Sequence, residues 1–332
     1  MGEPKKFCPD CGEHVTRRGF MTAAAAGVAA GATAKAPVWA STWREAESED
    51  LVKKFYGTLT PQQKEKMAFP WDHKLRTKVS NNWKIVEQEI STFYTGDQQQ
   101  LIRDIFKGLV SPEWHENWLR KMKDDYDGVG GVEKHHVAVF GEPGKGKFEW
   151  VMTGRHVTIR CDGDTTENVA FGGPIFYGHA AEGFNEKPDH PGNVFWPQAL
   201  AANEVFKSMD GKQREKALLQ KAPGDTDKSI VIDPQGKYEG IGVSELSKDQ
   251  KAQVEKTMKM LLAPYRACDV EEAMKFIADS GGLDRLTLAF YKEGDLGGDG
   301  VWDNWALRGP TMAWYFRGAP HVHTWVNFAK QA

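Results

Sequence analysis

Residues 303–328 read DNWALRGPTMAWYFRGAPHVHTWVNF, and this stretch decides the fold class. Short runs rich in aromatic and β-branched residues are cut by Gly309-Pro310 and by Gly318-Ala319-Pro320. Period-two runs bounded by turn formers read as strands. The predicted strands are 303–308, 312–317 and 321–328, preceded by 285–291, and together they form a C-terminal meander. Upstream, 136–140 and 148–160 read as two strands around the turn Gly141-Glu142-Pro143-Gly144. In the second, Val157, Ile159 and Cys161 share one face, while His156, Thr158 and Arg160 share the other. Residues 169–178, with Gly172-Gly173-Pro174, read as loop or short strand.

Between these runs lie helices whose starts are written in nearly the same way. Thr60-Pro61-Gln62-Gln63, Thr95-Gly96-Asp97-Gln98, Asp210-Gly211-Lys212-Gln213 and Ser247-Lys248-Asp249-Gln250 each set a capping side chain three residues before a Gln. The capping oxygen accepts from an orphan backbone N–H, and the Gln reaches back to the cap. Helices are expected over 61–69, 97–109, 211–220 and 248–263, with others near 47–57, 112–124, 197–208 and 270–279. The spacing of the four starts is irregular and the faces that follow differ, so they do not read as a repeat. Helices around runs of strands give α+β: helices flanking an antiparallel sheet, in a single domain over residues 41–332.

At the other end, Thr16-Arg17-Arg18-Gly19-Phe20-Met21 precedes an uncharged run of small residues from Thr22 to Ala34. The run falls short of the ~20 apolar residues a permanent span requires. It reads as a twin-arginine export signal over 1–40, cleaved after Ala40. The twin-arginine translocase is then a partner during export, the destination is periplasmic or extracellular, and no permanent membrane segment is expected. The whole chain has a formal net charge of −3. Without residues 1–40 it carries about −5, which argues against a nucleic-acid partner. Charged residues are 27% of the chain, so disorder is expected only at the termini and over 222–240. Cys8 and Cys11 would leave with the signal; Cys161 and Cys268 could pair in an oxidising compartment, with two buried thiols the favoured reading.

Several histidines stand in strand or loop contexts. His321 and His323 flank Val322, so on a strand both imidazoles project from one face, half of a metal site. His156 lies on the polar side of its strand, with Arg155 beside it to bind an anionic group. His179 and His190 lie in a Gly/Pro-rich excursion, 171–195, of the kind that decorates a scaffold. Expected metal ligands are therefore His156, His321 and His323, with His179 or His190 completing the shell, Arg155 in a catalytic role, and Arg155 or Arg317 binding an anionic substrate group. An all-nitrogen set suits a divalent transition metal: Zn, Cu or Fe. Gly141–Lys147 has the spacing of a phosphate loop, but Phe148 replaces the Ser/Thr and a strand follows, so it reads as a hairpin turn. Asp295, Asp299 and Asp303 read as a solvated turn.

Gly141-Glu142-Pro143, Gly154-Arg155-His156, Phe171-Gly172-Gly173-Pro174 and Trp314–His323 resemble the domain-of-unknown-function 3500 family, in particular planctomycete-type members with twin-arginine signals. The likeness spans most of residues 50–328. It implies a fold neighbourhood and no reaction, and it supports His156, His321 and His323 as a set. Broader members carry a second His where this chain has Arg155. They also carry an Arg and acidic residues where it has Trp325-Val326-Asn327-Phe328. The expected function is an exported, metal-dependent enzyme, hydrolytic or oxidative, acting on a small-molecule substrate. The alternative is a non-catalytic periplasmic protein that binds a carbohydrate or other small ligand in an aromatic-lined cleft built from the 12 Trp.

Overall fold

The computed structural model describes residues 6–7, 14–15, 47–163, 165–180 and 187–330. β1 (Lys6–Phe7) and β2 (His14–Val15) pair antiparallel. The arginine pair, the small-residue run and the cleavage position lie outside the described residues. Then come α1 (Glu47–Thr58), α2 (Pro61–Met67), β3 (Ala68–Phe69), α3 (Ile90–Phe93), α4 (Gly96–Leu109) and α5 (His115–Asp124). Four strands follow: β4 (His136–Gly141), β5 (Phe148–Gly154), β6 (Val157–Cys161) and β7 (Ile175–His179). Next are α6 (Trp196–Ser208), α7 (Gly211–Ala217), β8 (Leu218–Leu219), β9 (Ile241–Gly242), α8 (Lys248–Leu262) and α9 (Ala267–Asp279). The chain closes on the meander β10 (Thr287–Tyr291), β11 (Asn304–Gly309), β12 (Met312–Arg317) and β13 (Val322–Phe328). All four Gln capping boxes form. Gly141–Lys147 is the hairpin turn between β4 and β5.

Ten strands run in the order β3-β4-β5-β6-β7-β13-β12-β11-β10-β8, with β9 on β10. The sheet is mostly antiparallel but mixed, which corrects the expectation: β3 is parallel to β4, and β8 to β10. Each of these two-residue strands continues directly from a helix end. Residues 148–160 are not one strand either. The chain reverses at Arg155-His156, and β5 and β6 pair as a hairpin.

Alternation along the strands sorts the side chains onto two faces. Trp305, Leu307, Met312, Trp314, Val322 and Val326 join the larger core with helix residues such as Phe55, Ile102, Phe106, Trp118, Ala202 and Val254. Phe176, Ala289, Tyr291, Ala306, Tyr315 and Trp325 form a smaller core, closed by Val79, Ile230 and Ile232. The buried helical residues thus gather in the larger core, and irregular segments supply the closure of the smaller one. Residues 222–240, expected to be disordered, are ordered because Ile230 and Ile232 bury there. Burial on both faces also explains why β5, β6 and β7 are buried throughout.

Apart from α3 in the first half and β9 in the second, the element order runs twice, from α1 to β7 and again from α6 to β13, and the details recur. Gln63 and Gln98 exchange amide hydrogen bonds of 2.8 and 3.1 Å, as do Gln213 and Gln250 at 3.1 and 2.8 Å. A Cβ on Gly154 would lie 2.4 Å from His135 Cδ2, and one on Gly309 would lie 2.4 Å from Leu286 Cδ2. Leu109-Val110-Ser111-Pro112 ends α4 as Leu261-Leu262-Ala263-Pro264 ends α8. At the seam β7 and β13 pair antiparallel, with Thr324 opposite Tyr177, Val322 opposite His179 and Val326 opposite Ile175. That register is the isologous pattern of a local two-fold. The capping starts therefore do belong to a repeat, contrary to the sequence reading. Unequal loops hide the period, and the differing faces reflect the chemistry of one half.

Candidate metal centre

His156 sits in the β5–β6 turn with φ 56°, a left-handed conformation in which a non-glycine residue costs energy. Several bonds hold it there. Its N–H donates to the Asn81 carbonyl at 3.0 Å, while its own carbonyl accepts from Gly178 N–H at 3.2 Å and from Lys121 Nζ at 2.7 Å. Gly178 has to be glycine, because a Cβ would lie 2.3 Å from the Val322 carbonyl oxygen and 3.2 Å from the His156 ring. The seam pairs Gly178 with His323, which brings the start of β13 against the turn. The ring centroids of His156 lie 5.0 Å from those of both His321 and His323, which are 4.6 Å apart. One ring nitrogen from each of the three lies within 4.8 Å of the others, a group able to hold a metal ion. Their relative exposures are 4%, 4% and 6%, so the centre is nearly closed to solvent.

Two carboxylates brace the rings from outside. Asp125 Oδ1 accepts from His156 Nδ1 and from Ala180 N–H, both at 3.0 Å, and Lys121 Nζ lies 3.1 Å from Asp125 Oδ2. Asp225 Oδ2 accepts from His323 Nδ1 and from Arg317 Nη1, both at 2.8 Å, while Trp325 Nε1 donates to Oδ1 at 2.8 Å. A carboxylate at Nδ1 fixes the proton there and leaves Nε2 as the basic nitrogen, the usual support of a metal-bound histidine. His323 Nε2 is therefore an acceptor, and the His321 Nε2–H donates to it at 2.9 Å. Two ligands on a tetrahedral ion at ~2.0–2.1 Å stand roughly 3.3 Å apart, so a small spreading of this pair would admit one.

Burial lowers both braced imidazoles to about 4, against the opposing pull of Asp125 on His156 and of Asp225 on His323. They are neutral near pH 7, as ligands must be. Burial alone would raise the Asp125 carboxyl, but Lys121 and His156 outweigh it and hold it below the ordinary range. His323, Arg317 and Trp325 likewise overcome burial at Asp225.

The sequence-predicted residues divide. The three triad histidines converge. Arg155 precedes His156 in the turn, half-buried, its N–H donating to Tyr126 Oη at 3.1 Å. His179 shares the strand parity of Ile175 and Tyr177, which face the larger core, whereas His323 shares that of Trp325 on the smaller one. Its Nε2 lies 3.9 Å from Asp124 Oδ2. His190 Nδ1 accepts from Gly192 N–H at 3.0 Å, closing a local turn. Among the described residues neither joins the triad. Sequence reasoning missed Lys121, Asp125 and Asp225. Two charges four residues apart, one on the buried side of α5 and one just past its end, were the available signal for the first pair, and Asp225 carried none.

Asp303 is 1% exposed, not solvated, and burial beside Asp295 raises its carboxyl to about 6. Cys161 and Cys268 are buried and not disulfide-bonded, as expected. Among the described residues no helix is long and apolar enough to cross a membrane.

The family model described as "Protein of unknown function (DUF3500)" matches residues 44–326. The chain belongs to the DUF3500 family. The match takes in both halves of the sheet and the whole triad. No curated protein and no solved structure matches the chain.

Proposed function

We propose that this DUF3500 protein is an exported metal-binding protein in which His156, His321 and His323 hold one divalent transition ion, and that the ion serves a metal-dependent reaction. One observation carries the reading. Three buried imidazoles from distant parts of the chain offer nitrogens within 4.8 Å of one another, and two are braced at Nδ1 by carboxylates. An isolated buried His needs one hydrogen-bond partner, not a shared focus of three. The all-imidazole set suits Zn, Cu or Fe. An ion there would polarise a substrate oxygen or lower the pKa of bound water. The chain's own part is to hold two rings by Asp125 and Asp225, to restrict solvent, and to offer Arg155 to an anionic substrate group. Arg17-Arg18 and the small-residue run support export, a route compatible with loading the ion before transit. The continuous sheet supports residues 41–332 as one domain.

Elemental analysis of protein purified from the periplasm tests this. We expect about one ion per chain, lost in His156→Ala while the circular dichroism spectrum is retained. Metal far below stoichiometry that His156→Ala leaves unchanged would defeat it. A carbohydrate cleft has less support, because Trp118, Trp150, Trp305, Trp314 and Trp325 are fully buried in the cores. The cavity of about 360 Å³ beside Val79 and Ile230 has no aromatic lining.

A further inference from the structure

Each carboxylate that braces the triad is paired with a cation. Asp125 is paired with Lys121 at 3.1 Å, and Asp225 with Arg317 at 2.8 Å. Wherever the proton sits within the Lys121–Asp125 pair, the pair as a whole is neutral, and the same holds for Arg317–Asp225. No carboxylate belongs to the triad.

The duplicated half indicates that the fold does not need one of these pairs. Counted from the prolines that close α4 and α8, Lys121 and Asp125 stand nine and thirteen residues after Pro112, and Ala273 and Ile277 stand at the same distances from Pro264. Ala273 and Ile277 are buried and apolar. The turn that carries His156 as Gly154-Arg155-His156 reads Gly309-Pro310-Thr311 in the other half. There Thr311 Oγ1 donates to the Phe276 carbonyl at 3.1 Å, an ordinary structural contact. A fully buried lysine is costly. It stands only where His156 has to be oriented, and it also neutralises the carboxylate that orients it.

We propose that the centre takes a small anion as the remaining ligand of its metal, and that Lys121 and Arg317 set this preference by cancelling the two carboxylates that position the rings. The inference rests on the metal reading above. Three neutral imidazoles leave a divalent ion its full double charge, and in a poorly solvated site that charge favours an anionic partner over water. Rings only 4–6% exposed restrict that partner, on the approach seen here, to a small species: a halide-sized ion, or the carboxylate or phosphate end of a substrate. Arg317 is the better of the two to test. Its side chain is 15% exposed and that of Asp225 26%, so the variant does not strand a charge in a dry core.

The test uses full-length cobalt(II)-loaded protein titrated with azide and followed by visible absorption. The wild type should show a saturable spectral change. Arg317→Gln should keep its cobalt but bind azide roughly tenfold more weakly, and Arg317→Lys should restore most of the affinity. Chloride should compete. A loaded wild type that ignores azide, or an Arg317→Gln protein that binds it as tightly as the wild type, overturns the inference and leaves the metal reading standing. A wild type that takes up no cobalt overturns both.

Discussion

The two halves of the sheet share a scaffold and differ in what they bury. In the second half, the helix and hairpin turn that face each other offer Ala273, Ile277 and Thr311. In the first, the corresponding positions offer Lys121, Asp125 and His156. One set fills space. The other is held by hydrogen bonds and a buried ion pair, and it forces a histidine into φ 56°. Where one fold is built twice and, at these matched positions, only one copy carries buried charge and backbone strain, those features point to chemistry and not to folding. The second half is not idle: it sends His321, His323, Asp225 and Arg317 across the seam. The centre thus needs both halves, although each repeats the other's architecture.

Exchanging residues between halves gives the largest expected effect. Lys121→Ala alone strands the Asp125 carboxylate and should lower stability by about 3–5 kcal/mol. Lys121→Ala with Asp125→Ile copies the second half, and by chemical denaturation should recover most of that loss. Its metal affinity should still fall about 10–100-fold, because His156 loses its brace. Equal destabilisation of the single and double variants would break the comparison.

Next come the glutamine pairs, which the halves share. Gln98→Ala and Gln250→Ala each remove one member of a reciprocal amide pair and one bond to a backbone carbonyl, that of Thr58 or of Ser208. Each should cost about 1–3 kcal/mol with metal content unchanged. A large effect in one half only would show that the two are not equivalent.

The remaining contrast is in the pH dependence, where the two halves have opposite signs. Burial lowers His135 to about 3. Between that value and the ordinary ~6.5 the unfolded chain binds a proton that the folded chain does not. Stability from this group is complete above the ordinary value and is lost as pH falls towards about 3. His135→Leu, which copies Leu286, should flatten the fall in Tm between pH 7 and pH 4. Asp303, raised to about 6, does the reverse. The folded state holds a proton that the unfolded one releases near ~3.9, so stability is complete below that and declines as pH rises through about 6. Asp303→Asn should raise Tm by a few degrees at pH 7.5 and little at pH 4. Parallel pH profiles for both variants would contradict these assignments.

Much of this was legible in the sequence, because local signals coincided with tertiary ones. The four Gln boxes set four helix starts, and the turn formers Gly309-Pro310 and Gly318-Ala319-Pro320 fixed the meander to within a residue or two. The triad was legible in part: His-x-His at a strand start gave a shared face, and a histidine on the polar side of a strand stood out. The turn at Arg155-His156 was missed because Val157–Cys161 continues the same period after the reversal. Asp225 was missed because it lies in a polar, Pro- and Gly-containing segment whose order comes from Ile230 and Ile232 packing on the far face. The repeat was missed because most of its evidence is three-dimensional: two amide pairs, and two glycines closed off by facing side chains.

The order in which the ribosome makes the chain gives the seam a further meaning. β7 is complete by residue 179, but its neighbour across the seam, β13, is the last of the described strands to be synthesised. Until then the first half presents a bare strand edge, the kind of template on which chains stick to one another. A product that stops before residue 321 would lack His321 and His323 and would keep that edge open. Loss of metal and a tendency to clump should therefore appear together, from the same missing tail.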